Sequence, residues 1–289
     1  MNYEERPLHF ECQDTSLIGI LSMPEDSGKR GILIVVGGPQ YRTGSHRQFT
    51  LLARQFASDG IPTMRFDYRG MGDSEGEQRE FTSIEDDIRA AVDCFLREAP
   101  ELNEVIIWGL CDAASAAVFY AHQDSRITGL VLINPWVRTE QGAAKAYLKH
   151  YYVSRLFNRQ LWRKIITGKF ALSASLRSFI QQIIKIMFQH KIVPTDVGID
   201  SIKQDRFNLP KKFEADLRQF KGRCLFILCN NDLTAQEFSD LAESSKEWKK
   251  LMASPRISRF DLTGANHTFS QRIWREQIGR WTIEWAKKQ

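Results

Sequence analysis

Gly109-Leu110-Cys111-Asp112-Ala113 sets a thiol between small residues, directly after the apolar run 105–110 and directly before an alanine-rich segment. A strand that turns at once into a helix holds the residue at the turn on a sharp, strained bend. Small neighbours two positions to either side leave room for that bend, and the side chain on it is presented as a nucleophile. The backbone N–H groups at the start of the helix favour negative charge, so they favour the thiolate, which is the reactive form of cysteine. Asp112 works against this with its own charge unless its carboxylate points away. Ser115 is a rival nucleophile, but it falls one turn inside the helix.

A thiol in this position needs a base and an acid, and with an elbow of this kind the order along the chain is nucleophile, acid, histidine. His267, in Gly264-Ala265-Asn266-His267-Thr268, follows the last strand-like run and is the histidine of the chain that occupies that place. Asp232, in Asn230-Asn231-Asp232-Leu233-Thr234, follows the run before it. There it can hold the imidazole in its productive tautomer, or simply cap the next helix. Asp261 lies inside the last strand and fits the role poorly.

An acyl transfer also needs donors for the oxyanion. One is the N–H of the residue after the nucleophile, Asp112. The other comes from the loop Val36-Gly37-Gly38-Pro39-Gln40, where Gly38 is chosen because Pro39 has no N–H to give. Gln40 is an alternative through its backbone or side chain. Arg42 and the run Ser45-His46-Arg47 follow at once, and Arg42 and His46 are candidates for binding an anionic group on the substrate. The competing reading is surface hydrogen bonding, with Ser45 as a helix N-cap.

These loops must be carried on strands. Early strands are expected at 8–13 and 17–23, and later ones at 31–38, 62–68, 105–110, 128–134, 223–229 and 257–263, with helices between the later ones near 46–59, 83–98, 111–122 and 234–252, and a last helix near 270–287. Apolar runs separated by helices mean a mostly parallel sheet covered on both faces, an α/β fold. Residues 1–137 and 219–289 form that core, and 138–218 reads as a helical cap inserted into it. From Arg138 to Thr195 the insertion carries eleven Lys or Arg against one acid, Glu140. Residues 171–190 place Leu172, Leu176, Phe179, Ile180, Ile183, Ile184 and Met187 at helical spacing. Such a face either packs on the body or meets lipid, aided by the basic charge.

Taken together, these residues resemble the α/β-hydrolase superfamily over essentially the whole chain. Asp67-Tyr68-Arg69-Gly70-Met71-Gly72-Asp73-Ser74-Glu75-Gly76 looks like its D-x-R-G-x-G-x-S-x-G loop, and Gly37-Gly38-Pro39 is similar to the HGGPG turn of proline iminopeptidases without the leading histidine. More narrowly, Gly37-Gly38-Pro39-Gln40-Tyr41-Arg42, Gly44-Ser45-His46-Arg47 and Gly109-Leu110-Cys111-Asp112-Ala113-Ala114-Ser115 resemble the first of two hydrolases that accompany exosortase A systems. That resemblance implies a setting in exopolysaccharide-producing bacteria and does not name a substrate. A Cys-Asp-His set is shared with dienelactone hydrolases and polyhydroxyalkanoate synthases, whose surrounding motifs differ. The expected activity is hydrolysis of an ester or thioester through a thioacyl intermediate. An acyltransferase using the same triad is the near alternative, and a non-catalytic partner-binding member of the fold is the distant one.

Composition bounds these readings. The 289 residues suffice for a large core, and a formal net charge of +5 is too mild to argue for nucleic acid. The five cysteines, Cys12, Cys94, Cys111, Cys224 and Cys229, have no spacing of a disulfide framework or zinc site, which suits a reducing cytoplasm. No apolar run reaches the roughly 18 residues of a membrane span, and the polar start is unlike a secretory signal. No metal or organic cofactor is expected. The expected partner is a small-molecule or lipid-linked acyl substrate, with peripheral contact to the inner membrane through the basic cap.

Overall fold

The structure is a computed structural model that describes residues 2–38, 40–137 and 199–288, with side chains in the last segment from Leu209 onward. Most of the expected cap, including the apolar face 171–190, lies outside the described residues.

The chain opens with a long hairpin. β1 (Tyr3–Cys12) and β2 (Thr15–Pro24) pair antiparallel from Tyr3 opposite Pro24 to Cys12 opposite Thr15. The connecting pair Gln13-Asp14 has φ 48° and 58°, and a two-residue turn with both central residues left-handed matches the twist of paired strands. β1 begins five residues earlier than the apolar alternation suggests. Its polar start is held by side chains instead, since Glu5 bridges Arg54 and Arg65.

The remaining strands are β3 (Arg30–Val35), β4 (Thr63–Asp67), β5 (Glu104–Leu110), β6 (Ile127–Ile133), β7 (Arg223–Cys229) and β8 (Ile257–Leu262). They complete an eight-stranded sheet in the order β1-β2-β4-β3-β5-β6-β7-β8, parallel from β4 to β8. Successive residues of a buried strand point to opposite faces. Leu33, Val35 and Ile107 therefore enter one core, while Ile32, Ile34, Ile106 and Trp108 enter the other.

The first face is covered by α2 (Glu85–Glu98), α3 (Asp112–Ala121), α5 (Leu233–Ala242) and α6 (Lys246–Met252), together with the second half of α4 (Ile199–Gln219). The second is covered by α1 (Gln48–Ser58) and α7 (Arg272–Lys287). The single helix expected over 234–252 is two, because Ser245 interrupts it and caps α6 by accepting from Trp248 N–H at 3.2 Å.

One boundary moves. Residues 209–218, assigned by sequence to the cap, pack into the core. Leu209, Phe213 and Leu217, four residues apart on one face of α4, are all buried. The ring of Phe213 meets Phe119, Phe238 and Trp248 at centroid distances of 6.5, 5.9 and 6.3 Å. From the sequence, 138–218 is expected to be helical, but which body a helix belongs to depends on what it meets.

The parallel strands bring their C-terminal ends to one edge of the sheet, where open α/β sheets place their sites. Gly37 and Gly38 follow β3, Cys111 follows β5, Asn134 follows β6, Asp232 follows β7 and His267 follows β8. No helix among the described residues is long and apolar enough to cross a membrane.

Candidate functional site

Cys111 sits between β5 and α3 at φ 64°, ψ −124°, a conformation that a residue with a side chain adopts only where its surroundings enforce it. Those surroundings are identifiable. Cys111 N–H donates to Ile133 O at 2.9 Å, and its carbonyl accepts from Ala114 N–H and Trp136 N–H, both at 3.1 Å. The bend also needs Gly109, where a Cβ would lie 2.7 Å from the Ala113 backbone. Cys111 is half-buried and packs against the apolar cluster under α1 and α7. The other four cysteines are buried, and burial raises their thiol pKa values. Cys94 and Cys229 are pushed to about 11 and Cys224 to about 12, which leaves them as unreactive thiols at neutral pH. Ser115 is fully buried and donates its hydroxyl to Trp136 O at 2.6 Å, so its oxygen is committed to holding the loop after β6.

His267 Nδ1 lies 2.8 Å from Asp232 Oδ2. A carboxylate only accepts, so Nδ1 carries the proton and Nε2 is left with its lone pair. Asp232 performs both roles the sequence allowed it, because its Oδ1 accepts from Thr234 N–H at 3.1 Å and caps α5. The hydrogen bond to Asp232 raises the His267 pKa above the usual imidazole value. Burial opposes the rise, and the charges of Asp232 and Asp112 add to it.

The two glycine-loop and elbow amides meet as well, but on a side chain. Gly38 N–H donates to Asp112 Oδ2 and Ala113 N–H to Asp112 Oδ1, each at 2.9 Å. The carboxylate thus turns back over the start of α3, where the sequence reading required it to point away. Gly37 makes the approach possible, since a Cβ there would overlap Asp112 Oδ1. Burial raises the Asp112 pKa, against the amides of Gly38, Ala113 and Asp112 itself and against His267.

Of the three residues considered beyond the glycines, Gln40, Arg42 and His46, the first two hold parts of their own loop. Arg42 pairs through its guanidinium with the fully buried Asp67 and, at 2.6 Å, with Asp73, while its N–H reaches Asp67 Oδ1 at 2.5 Å. Those pairings make it a clamp between the glycine loop and the end of β4. Gln40 Oε1 accepts from Ser45 N–H at 3.1 Å and from Ser45 Oγ at 3.3 Å, so it shapes its own loop. His46 is exposed with φ 54° in a short turn of helix, and Ser45 makes no side-chain cap there.

Two contributors escaped the sequence reading. Asn134, fully buried with φ 45°, accepts from Cys229 N–H through Oδ1 at 2.8 Å and donates through Nδ2 to His267 O at 3.5 Å. It ties the ends of β6 and β7 to the histidine loop. The signal was an asparagine directly after a strand, a residue type that tolerates left-handed backbone. Tyr68, buried after β4, is raised in pKa by burial and by the nearby Asp112 and Asp87 charges.

Comparisons with known proteins agree with this architecture. An esterase of Pyrococcus furiosus superposes with a TM-score of 0.65 at 15% identity, covering 99% of this chain and 93% of that one. Est1E from Butyrivibrio proteoclasticus, solved with ferulic acid bound, gives 0.62 at 14% identity over 96% and 98% of the two chains. A dienelactone hydrolase from Anabaena variabilis gives 0.61 at 13% identity over 100% and 99%. At these identities the likeness is one of fold. The quorum-quenching protein AidA of Acinetobacter baumannii is 27% identical over 138 residues, which span 45% of this chain and 44% of that relative. The family described as Hydrolase_4, serine aminopeptidase S33, matches residues 29–221, well over half of the sequence. With that match and an eight-stranded sheet whose neighbours are esterases and hydrolases, the chain belongs to this family of α/β hydrolases.

Proposed function

We propose that the protein is an acyl hydrolase whose nucleophile is Cys111, in a family whose description names serine. The observation that carries this reading is the strained elbow at Cys111, φ 64°, opening α3, in a sheet whose next-but-one and last loops supply the paired Asp232 and His267. In the reaction the thiolate adds to an ester or thioester carbonyl, and a C–S bond forms. The C–O or C–S bond to the leaving group then breaks, with His267 supplying the proton that the leaving group takes. Water activated by His267 Nε2 hydrolyses the resulting thioester. The thioester is itself an activated acyl donor, so a hydroxyl or thiol replacing water would make the same site an acyltransferase.

A second reading, a member that binds without turnover, is favoured by one observation: the Asp112 carboxylate occupies the Gly38 amide, one of the two an oxyanion would use. The two readings separate in one screen. Wild type and Cys111→Ala are offered p-nitrophenyl esters and acyl-thioesters of graded chain length, with a ferulate ester and a quorum-signal ester included because of the relatives' names. Turnover by wild type that is lost in a folded Cys111→Ala protein supports the hydrolase. No turnover of any substrate by either protein supports the binding member.

Setting and partner extend the proposal. The segments that resemble exosortase A-associated hydrolases point to an exopolysaccharide-producing host. The basic excess over 138–195 suggests an acyl substrate with an anionic or lipid-linked head group, met at the inner face of the membrane.

A further inference from the structure

The Gly38 amide, one of the two donors this chemistry needs for an oxyanion, holds a carboxylate instead. Preorganised N–H donors act on the negative charge that develops on the carbonyl oxygen, and losing one such donor typically lowers turnover by about 10²–10³-fold. Here the Gly38 and Ala113 amides are each 2.9 Å from the two oxygens of Asp112. An ionised Asp112 therefore takes up the Gly38 donor and puts a standing charge beside the place where the oxyanion must form. It also lies on the residue after Cys111, where a second negative charge is opposed.

We propose that Asp112 is an internal occupant of the oxyanion cradle, and that Cys111 is acylated only when this carboxylate is protonated or turned out. The proposal rests on Cys111 being the nucleophile. The groups that face Asp112 are the amides of Gly38 in the loop after β3, of Ala113 and Asp112 itself in α3, His267 in the loop after β8, and Tyr68 after β4. Burial raises the Asp112 pKa, which favours the protonated form at higher pH than for an exposed carboxyl. When neutral, Asp112 no longer repels the oxyanion, and its O–H becomes a donor. The sign follows: the block is strongest above the Asp112 pKa and relaxes as the pH falls through it. A substrate that makes a strong contact elsewhere in the site can supply the same release by displacement.

The test compares two reactions of Cys111. Acylation by p-nitrophenyl acetate forms a C–S bond, expels p-nitrophenolate and needs both thiolate and cradle. Alkylation by iodoacetamide forms a C–S bond, expels iodide and needs the thiolate alone. Rates are read by intact mass between pH 5 and 9 for wild type, Asp112→Ala and Asp112→Asn. The expected result is a ratio of acylation to alkylation that rises about tenfold or more in Asp112→Ala at pH 8, with the gain over wild type shrinking as the pH is lowered. Asp112→Asn keeps the shape without the charge. It should lose the pH dependence of that ratio even if the alanine variant folds poorly. Equal ratios in wild type and both variants at every pH would overturn the gate. A Cys111 that neither reagent modifies in any variant would instead overturn the nucleophile itself.

Discussion

The backbone of Cys111 is strained where its side chain could react, and hydrogen bonds to Ile133, Ala114 and Trp136 hold it there. His267, the partner proposed for Cys111, is held from two sides, by Asp232 at the ring and by Asn134 at the carbonyl. Because Asp232 both caps α5 and holds the imidazole, its substitutions separate. Asp232→Asn keeps a good capping residue, so thermal stability should change by less than about 1 kcal/mol, while Asp232→Ala should lose about 1 kcal/mol through the cap alone. Both should slow alkylation of Cys111 at neutral pH. In Asp232→Asn the bond that raises the His267 pKa is weakened and burial still lowers it. The imidazole should then titrate by NMR below its wild-type position, towards or under the usual value of about 6.5. Linkage runs the same way: a raised histidine pKa stabilises the fold fully below about pH 6.5, and that contribution is lost as the pH rises through the folded-state pKa. An unmoved titration would remove Asp232 from the unit. The places of Cys111, Asp232 and His267 at the ends of β5, β7 and β8 were legible in the sequence, because the apolar runs before them mark those strands. The direction of the Asp112 side chain was not, because a sequence shows a charge but not its rotamer. Asn134 was hidden because its role depends on which strand ends lie side by side.

At the level of elements, the site is a set of strand ends tied together by buried polar groups. Arg42 links the glycine loop to Asp67 and Asp73, Arg69 grips the fully buried Asp87 with two bonds at 2.9 and 2.8 Å, and Ser74 Oγ donates to Asp67 O at 2.6 Å. This assigns the D-x-R-G-x-G-x-S-x-G segment to scaffolding. Removing one partner of such a pair strands the other charge, so Arg42→Ala should cost about 3–5 kcal/mol in urea unfolding. It should also slow acylation of Cys111 more than alkylation, because the cradle moves with the loop. A loss under about 1 kcal/mol would contradict the clamp. Phe213→Ala tests the reassigned half of α4. If it is core, truncation should cost about 3–5 kcal/mol, whereas a solvent-facing cap residue would cost little. Strand and helix positions were readable from apolar runs and their period. The cap boundary was not, since a period of 3.6 is the same whether a helix covers a core or a cleft.

On the scale of the whole molecule, charge is distributed so that the described body and the segment 138–195 differ in kind: a formal +5 overall contains a stretch with eleven basic residues and one acid. If that stretch meets an anionic surface, co-sedimentation with vesicles containing anionic lipid should exceed that with neutral vesicles and weaken with salt beyond about 0.15 M, where exposed charges are screened over about 8 Å. Equal sedimentation with both would leave the charge merely solvated. The sheet presents its site at the C-terminal strand ends, and everything proposed for that edge depends on one bond forming between Cys111 and an acyl group. The direct measurement is intact-protein mass after brief exposure to an activated ester, followed by peptide mapping. The expected result is one acyl group per chain, placed on Cys111, discharged by water over time and absent in Cys111→Ala. An adduct on another residue, or the same adduct in Cys111→Ala, would contradict a cysteine nucleophile.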